Sequence, residues 1–316
     1  KVDKLFVYEG LSRVEVAHTE AGEIIALAGL EHVAISDTIT STDSLEALPS
    51  IDIGQPTIQM TFEVNTSPFA GQDGRYVNSR QLQKRLSDEL QTNVGLRVQN
   101  TDSAETFLVS GRGELHLSIL IETMRREGYE FQVSKPEAIV KIVDGQEQEP
   151  YELLVLDVGE ENIGLLIENL SSRLARMTDM HGDNQGQVRL EFEIPTRGLI
   201  GFRSFFLKAT RGNGEINSIF TGYEPLQGEV KTTRAGVLIA AKTGVAVTYG
   251  LNNAQQRGLT FVGPGVQVYE GMVVGLHARD DDLVVNVCKE KKLTNVRASH
   301  SDIAVALIPP MLMSLE

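Results

Sequence analysis

Between residues 55 and 226 the hydrophobic pattern runs strand, helix, strand, strand, helix, strand, and then repeats that order once more. This is the order of the split βαβ, or ferredoxin-like, sandwich. In the first unit, residues 55–140, TIQMTFEVN alternates like a strand. SRQLQKRLSDELQ follows, with Leu82, Leu86 and Leu90 four apart, and Asn78 stands three residues before Gln81 as a capping-box pair. Two strands, GLRVQNT and ETFLVSG, lead through a glycine-rich turn into a second helix, and YEFQVS closes the unit. Gly111 and Gly113 supply the turn, since glycine takes backbone angles closed to other residues. Leu117, Leu120, Ile121 and Met124 form the apolar face of that helix, and Gly128 ends it. Glu114 and the pair Arg125 and Arg126 lie where the helix dipole favours each charge.

The second unit, residues 148–226, begins with the strand YELLVLDV. Its first helix places Ile163, Leu166, Ile167, Leu170, Leu174 and Met177 on one face. RMTDMHG and QVRLEFEIP form the middle hairpin, a second helix runs through RGLIGFRSFFLKAT, and GNGEINSIFTGY is the last strand. Before these units, residues 1–50 read as short barrel-like strands, RVEVAHTE, GEIIALAGL and VAISDTITS, too few to close a barrel. After them, residues 228–316 are Gly-rich and mostly β, with GVLIAA, GVAVTYG, YEGMVVGLHA, DLVVNVC and DIAVALIPP as candidate strands. The fold class is therefore α+β: two tandem ferredoxin-like domains, part of a β-barrel before them and a mostly β domain after them.

Length and composition narrow the function classes. A chain of 316 residues holds more than one domain, and 41% hydrophobic with 23% charged residues is ordinary for globular cores. The one cysteine, Cys288, rules out an internal disulfide and a cysteine-based zinc site, and fits a reducing, cytoplasmic setting. No apolar run is long enough to span a bilayer, and no secretory signal opens the chain, so no membrane partner is expected. The first residue, Lys1, falls in what reads as mid-strand, as in a piece of a longer protein. A net charge of −14 argues against diffuse adhesion to nucleic acid, DNA included, so any RNA contact needs a local basic patch.

Catalytic and cofactor motifs are incomplete throughout. GVLIAAKT sets Gly236, Lys242 and Thr243 at phosphate-loop spacing, but Ala241 replaces the second glycine and the apolar filling reads as a strand end. No two of the six histidines stand at i, i+4, no GxSxG or HExxH occurs, and Asp280, Asp281 and Asp282 form a turn-like acidic run. The expectation is no catalysis, no metal and no cofactor in these residues.

The basic clusters carry more. CKEKKLTNVRASH, residues 288–300, sets Lys289, Lys291, Lys292 and Arg297 against one acid, Glu290, with Thr294 and Asn295 between them. Such a loop can place cations on phosphates and amides on sugar or base edges, and reads equally as a solvated turn. Arg197, Arg203, Lys208 and Arg211 lie along IPTRGLIGFRSFFLKATRG, with Phe202 and Phe206 directed at the sheet and Arg203 and Lys208 at solvent. They serve either as phosphate contacts or as an ordinary helix surface.

SPFAGQDGRYVNSRQLQKRL, VSGRGELHLSILIETMRREGYEF, IPTRGLIGFRSFF with TRGNG and FTGYEP, VYEGMVVG and KKLTNVRAS, in that order, closely resemble the C-terminal half of the BipA/TypA family of ribosome-associated translational GTPases. The resemblance spans almost the whole chain. It implies that the two ferredoxin-like units correspond to domains III and V of factors similar to elongation factor G, that residues 1–50 end a β-barrel domain II, and that residues 228–316 form the family's own C-terminal domain. The family's GTP-binding domain, with its phosphate loop and guanine-reading motif, has no counterpart here, so GTP would be bound by the full-length protein outside these residues. The implied partners are the ribosome, through rRNA, and the tRNA acceptor end, approached by the loop at residues 289–297. The implied roles are stress-linked translation and large-subunit assembly. Two other classes stay open: a free-standing RNA-binding module, and an enzyme built on tandem ferredoxin-like domains, since that fold hosts many functions.

Overall fold

The computed structural model describes residues 2–30, 33, 35–49, 54–183, 186–230, 236–291 and 306–313. At the N-terminal end, β1 (Lys4–Glu9), β2 (Ser12–Val16) and β3 (Ile25–Ala28) form an antiparallel sheet in the order β2-β1-β3. The expected strand VAISDTITS is not one: its described residues lie in turns and irregular chain, while LFVYE, in the stretch that reads as mid-strand at the start, is the central strand. The three strands do not close into a barrel.

The first ferredoxin-like unit comprises β4 (Ile58–Val64), α1 (Ser79–Leu90), β5 (Arg97–Asn100), β6 (Thr106–Gly111), α2 (Glu114–Glu127) and β7 (Phe131–Val133). Its sheet order is β5-β6-β4-β7, with the short β8 (Glu137–Ala138) added beside β4. Ile58, Met60 and Phe62 alternate inward along β4, and Leu82, Leu86, Leu117, Leu120 and Met124 cover them from the two helices. The Asn78–Gln81 capping box is formed, and Gly128 ends α2 at φ 96°. Leu90, read with the core face, is 38% exposed at the end of α1.

The glycine turn works differently from the expectation. Gly113 is extended at φ 175°, with open space where a Cβ would stand. At Gly111 a Cβ would lie 2.9 Å from Leu117 Cδ2 and 3.0 Å from His116 Nδ1. Close packing of strand on helix, not a left-handed backbone, is what requires glycine there.

Glu130 organises the loop between β4 and α1. Its carboxylate accepts backbone N–H bonds from Gly71 (2.6 Å), Asp73 (3.0 Å) and Gly74 (3.0 Å), and a bond from Asn65 Nδ2 at 2.8 Å. These donors, the Gly71 N–H first, hold its pKa down to about 2. The loop so shaped carries Phe69, whose ring meets Tyr269 of the last domain edge-on at 5.0 Å.

The second unit repeats the topology. After β9 (Lys141–Val143) come β10 (Gln146–Gly159), α3 (Ile163–Ser172), β11 (Arg176–Gly182), β12 (Gln187–Pro195), α4 (Thr196–Leu199), α5 (Phe202–Ala209) and β13 (Glu215–Pro225). The sheet order is β11-β12-β10-β13, with β9 paired to β10. Leu154, Leu156 and Val158 of β10 and Leu190, Phe192 and Ile194 of β12 meet Leu166, Leu170, Phe202 and Phe206 from the helices. The first helix is shorter than its apolar pattern. Leu174 turns left-handed at φ 66°, and Met177, placed on the helix face by spacing, pairs with Phe192 in β11 and is 50% exposed. Arg173 holds the helix end, donating to the carbonyls of Gly198 (2.8 Å) and Ile200 (3.0 Å) and to Asn169 Oδ1. The second expected helix is broken at Gly201, which sits at φ 71° between α4 and α5. Ile200 packs against the core of the first unit and the Gly201 N–H bonds Glu114 at 3.0 Å, so this break also joins the two units.

In the last domain β14 (Val237–Ala240), β15 (Gly244–Val245), α6 (Thr248–Gln255), β16 (Gly258–Thr260), β17 (Gln267–Val268), β18 (Val273–His277) and β19 (Leu283–Val285) build a four-stranded sheet, β16-β18-β14-β19, and a two-stranded one, β15-β17. GVLIAAKT is a strand end, as its apolar filling implies. Helix α6 begins inside GVAVTYG, which sequence assigned to a strand. Among the described residues no helix is long and apolar enough to cross a membrane, and no group of three or more His, Cys, Asp or Glu is placed to hold a metal.

Three stability measurements test this account. Leu170→Ala costs about 2–5 kcal/mol in urea unfolding, because the cavity left in the second core does not collapse fully. Gly111→Ala is destabilising by about 1–3 kcal/mol from overpacking, while Gly113→Ala leaves the midpoint nearly unchanged. For Glu130, whose folded pKa lies below the ordinary 4.5, the contribution to stability is complete above that value and is lost as pH falls toward 2. In thermal melts over that window the wild type loses stability more steeply than Glu130→Gln; identical slopes overturn the role of Glu130.

Candidate nucleic-acid interface

The structure separates the four cations along α4 and α5. Arg197 has a structural task. Its Nη2 bonds Glu149 Oε1 at 2.9 Å and the carbonyl of Gln227 at 2.6 Å, and its Nε bonds Glu149 Oε2. The Glu149 carboxylate raises the pKa of Arg197 further, by hydrogen bonding first and by charge second. Glu149 is 0% exposed on β10, so the pair sits at the boundary of the core.

Arg203, expected at solvent, is half-buried, and its Nε is covered with no hydrogen-bond partner among the described residues. It lines a cavity of about 220 Å³ between the two ferredoxin-like units, together with Arg112, Glu114, Ser118, Glu152 and Asn217. Two arginines face two carboxylates there, so the cavity has no marked charge of one sign. Arg112, set between the turn glycines, belongs to no site that the sequence suggests. Its side chain packs beside Gly95 of the first unit, and it lines this cavity because the second unit closes over it, which local spacing does not encode.

Lys208 and Arg211 are exposed at the C-terminal end of α5, where the helix dipole also favours cations. Arg211 turns left-handed at φ 52° and starts the turn that reverses the chain toward β13. Neither side chain forms an ion pair among the described residues, so both present charge to solvent. Of the second cluster, Lys289 and Lys291 are exposed after β19. Lys292, Thr294, Asn295 and Arg297 lie outside the described residues. The two clusters are carried by different domains, one on the second ferredoxin-like unit and one on the last domain.

The buried pair yields a direct test. Arg197→Ala leaves Glu149 charged inside the protein without a partner and costs about 3–5 kcal/mol, whereas replacing both residues by apolar ones of similar size is close to neutral. Urea unfolding of the single and double variants measures this, and a mild single variant sinks the structural assignment of Arg197.

Comparison with known proteins bears on the whole chain. Residues 146–234 match the family model described as elongation factor G C-terminus, and residues 235–316 match TypA/BipA C-terminal domain. The protein named large ribosomal subunit assembly factor BipA from Synechocystis is 52% identical over 100% of this chain and 53% of its own length. Relatives of the same name from Bacillus subtilis and Escherichia coli K12 are each 49% identical over 100% of this chain and 52% of their own. The chain thus spans about half the length of the curated relatives it matches. With its second ferredoxin-like unit matched to the elongation factor G C-terminus and its last domain to the family's own C-terminal domain, the chain belongs to the BipA/TypA family and corresponds to its C-terminal half.

Proposed function

We propose that this chain is the ribosome-contacting part of a factor that acts in large-subunit assembly and stress-linked translation. The observation that carries the reading is 49–52% identity, along its entire length, to relatives named large ribosomal subunit assembly factors. Contact with RNA falls to placed cations rather than to overall charge: Lys208 and Arg211 at the end of α5, and Lys289 and Lys291 leading into the segment with Lys292, Thr294, Asn295 and Arg297. This suits a chain of net charge −14, because exposed charges beyond about 8 Å are largely screened at physiological salt. Arg197 and Arg203 act through the fold instead, the one by holding Glu149 and the other at the seam between the two units. The tRNA acceptor end is a further expected contact of the last domain. GTP binding and hydrolysis belong to a domain of the full-length factor outside these residues, and the setting is the cytoplasm.

Co-sedimentation with purified ribosomes and separated subunits across a salt series tests the reading, with a mant-GTP fluorescence titration on the same sample. The expected result is salt-sensitive pelleting with the large subunit and no saturable nucleotide signal. Changing Lys291 and Lys292 together to Ala flattens the log–log salt dependence by roughly 0.7 to 0.9 for each phosphate that is no longer neutralised. No pelleting at low salt overturns ribosome contact by this half, an unchanged slope overturns the loop assignment, and saturable nucleotide binding overturns the placement of GTP elsewhere.

A further inference from the structure

On the last domain an open groove of about 530 Å³ runs between α6 and β19. Its polar lining is Tyr249, Asn253, Gln256, Arg257, Asn286 and Lys289, and no aspartate or glutamate among the described residues lines it. Arg257 and Lys289 are exposed and form no ion pair among the described residues, and the side-chain amides of Asn253 and Gln256 have no hydrogen-bond partner there. In a chain with 43 acidic residues against 29 basic ones, a wall whose described residues give two unpaired cations, three amides and an aromatic ring but no carboxylate is a selective arrangement. Three other cavities each carry at least one carboxylate: Glu114 and Glu152 at the seam between the ferredoxin-like units, Asp73 and Glu130 beside the loop after β4, and Glu89 near His116.

The groove is also held in shape. A Cβ on Gly250 would lie 2.2 Å from the carbonyl oxygen of Val287, and the Val247 N–H bonds that same oxygen at 3.0 Å. Helix α6 therefore rests directly on the backbone that follows β19, and the two walls cannot drift apart without breaking this contact. Its volume falls in the range of about 300–1,000 Å³ typical of small-ligand clefts.

We propose that this groove seats an unpaired RNA nucleotide. The proposal rests on the ribosome-contacting reading above and names the RNA feature that the last domain takes. Arg257 and Lys289 hold the phosphates on either side, Tyr249 supplies the surface on which the base stacks, and the amides of Asn253, Gln256 and Asn286 meet the base and sugar edges. Duplex RNA does not fit this scheme, because its bases are already stacked and paired.

Fluorescence anisotropy with a short fluorescein-labelled oligouridine and a matched RNA hairpin tests the proposal, alongside large-subunit pelleting of the same samples. The wild-type chain binds the oligouridine more tightly than the hairpin stem. Tyr249→Leu weakens oligouridine binding roughly 5- to 150-fold, the range that base–aromatic stacking carries, without changing its salt slope. Arg257→Gln with Lys289→Gln lowers that slope by about 1.4, roughly 0.7 for each phosphate contact. Both of these cations are exposed, so this variant keeps its fold even if Tyr249→Leu does not, and thermal melts of each variant check it. A 4-thiouridine in the oligonucleotide crosslinks to the peptide containing Tyr249 and Arg257, and competition by tRNA against large subunits tells which RNA supplies the nucleotide. Absence of oligouridine binding, variants that bind like wild type, or a crosslink elsewhere overturns the groove assignment. If those results come with intact large-subunit pelleting, the ribosome reading stands and only the groove falls; loss of pelleting by the wild type removes both.

Discussion

The contact on which the second ferredoxin-like unit and its exit depend is the one between Arg197 and Glu149. Glu149 is an acid with no exposed surface on the strand at the centre of its sheet, and ionised it is tolerable there only with a cation bonded to it. Arg197 answers with two nitrogens on the carboxylate and, from Nη2, bonds to the carbonyls of Gln227 (2.6 Å) and Gly228 (3.2 Å). One planar group thus ties the first strand, the start of the crossover helix and the chain leaving for the last domain. A lysine at this position has one nitrogen for the same four acceptors and cannot reproduce that fork.

What the sequence revealed and what it hid divide along the range of the interactions. The capping box at Asn78 and Gln81, the left-handed stop at Gly128 and the apolar faces of α2 and, as far as Leu86, of α1 follow from residues within one or two turns of each other, and they stand as read. The apolar spacing overextends the first helix of the second unit because Leu174 and Met177 continue a helical period by coincidence. What ends that helix is Arg173 reaching carbonyls some twenty-five residues away. Gly111 is necessary, as its place in the turn implies, but for a different reason, since the side chains that exclude a Cβ come from the facing helix. Helix α6 is hidden in the sequence because Val245 and Val247 ahead of it and Tyr249 within it alternate as in a strand.

The candidate site shows the same division. Residues 292–297 lie outside the described residues, whereas the exposure of Lys208 was legible, because basic residues near turns advertise themselves. The fate of Arg197 and Arg203 was not, because a cation's availability depends on which acid the fold brings to it. Many of the other arginines are spent in this way: Arg85 on Glu89 and Glu127, Arg125 and Arg126 on Glu122, Arg176 on Glu193 and Glu224, Arg189 on Asp157. Lys208, Arg211, Arg257 and Lys289 are among the cations left over, as are the exposed Arg80, Lys84 and Arg97 on the first unit.

The loop shaped by Glu130 has a mechanical meaning. Four hydrogen bonds fix its outline, and among its contacts with the last domain is an edge-on ring pair, Phe69 against Tyr269. Beyond the area it covers, an aromatic pair of this kind is worth only about 0.5–1.5 kcal/mol, roughly one to two and a half times thermal energy. The loop is therefore a stiff finger on a light detent: its outline is fixed from within its own unit, while the geometry of its ring pair with the last domain adds little to the area the two rings bury.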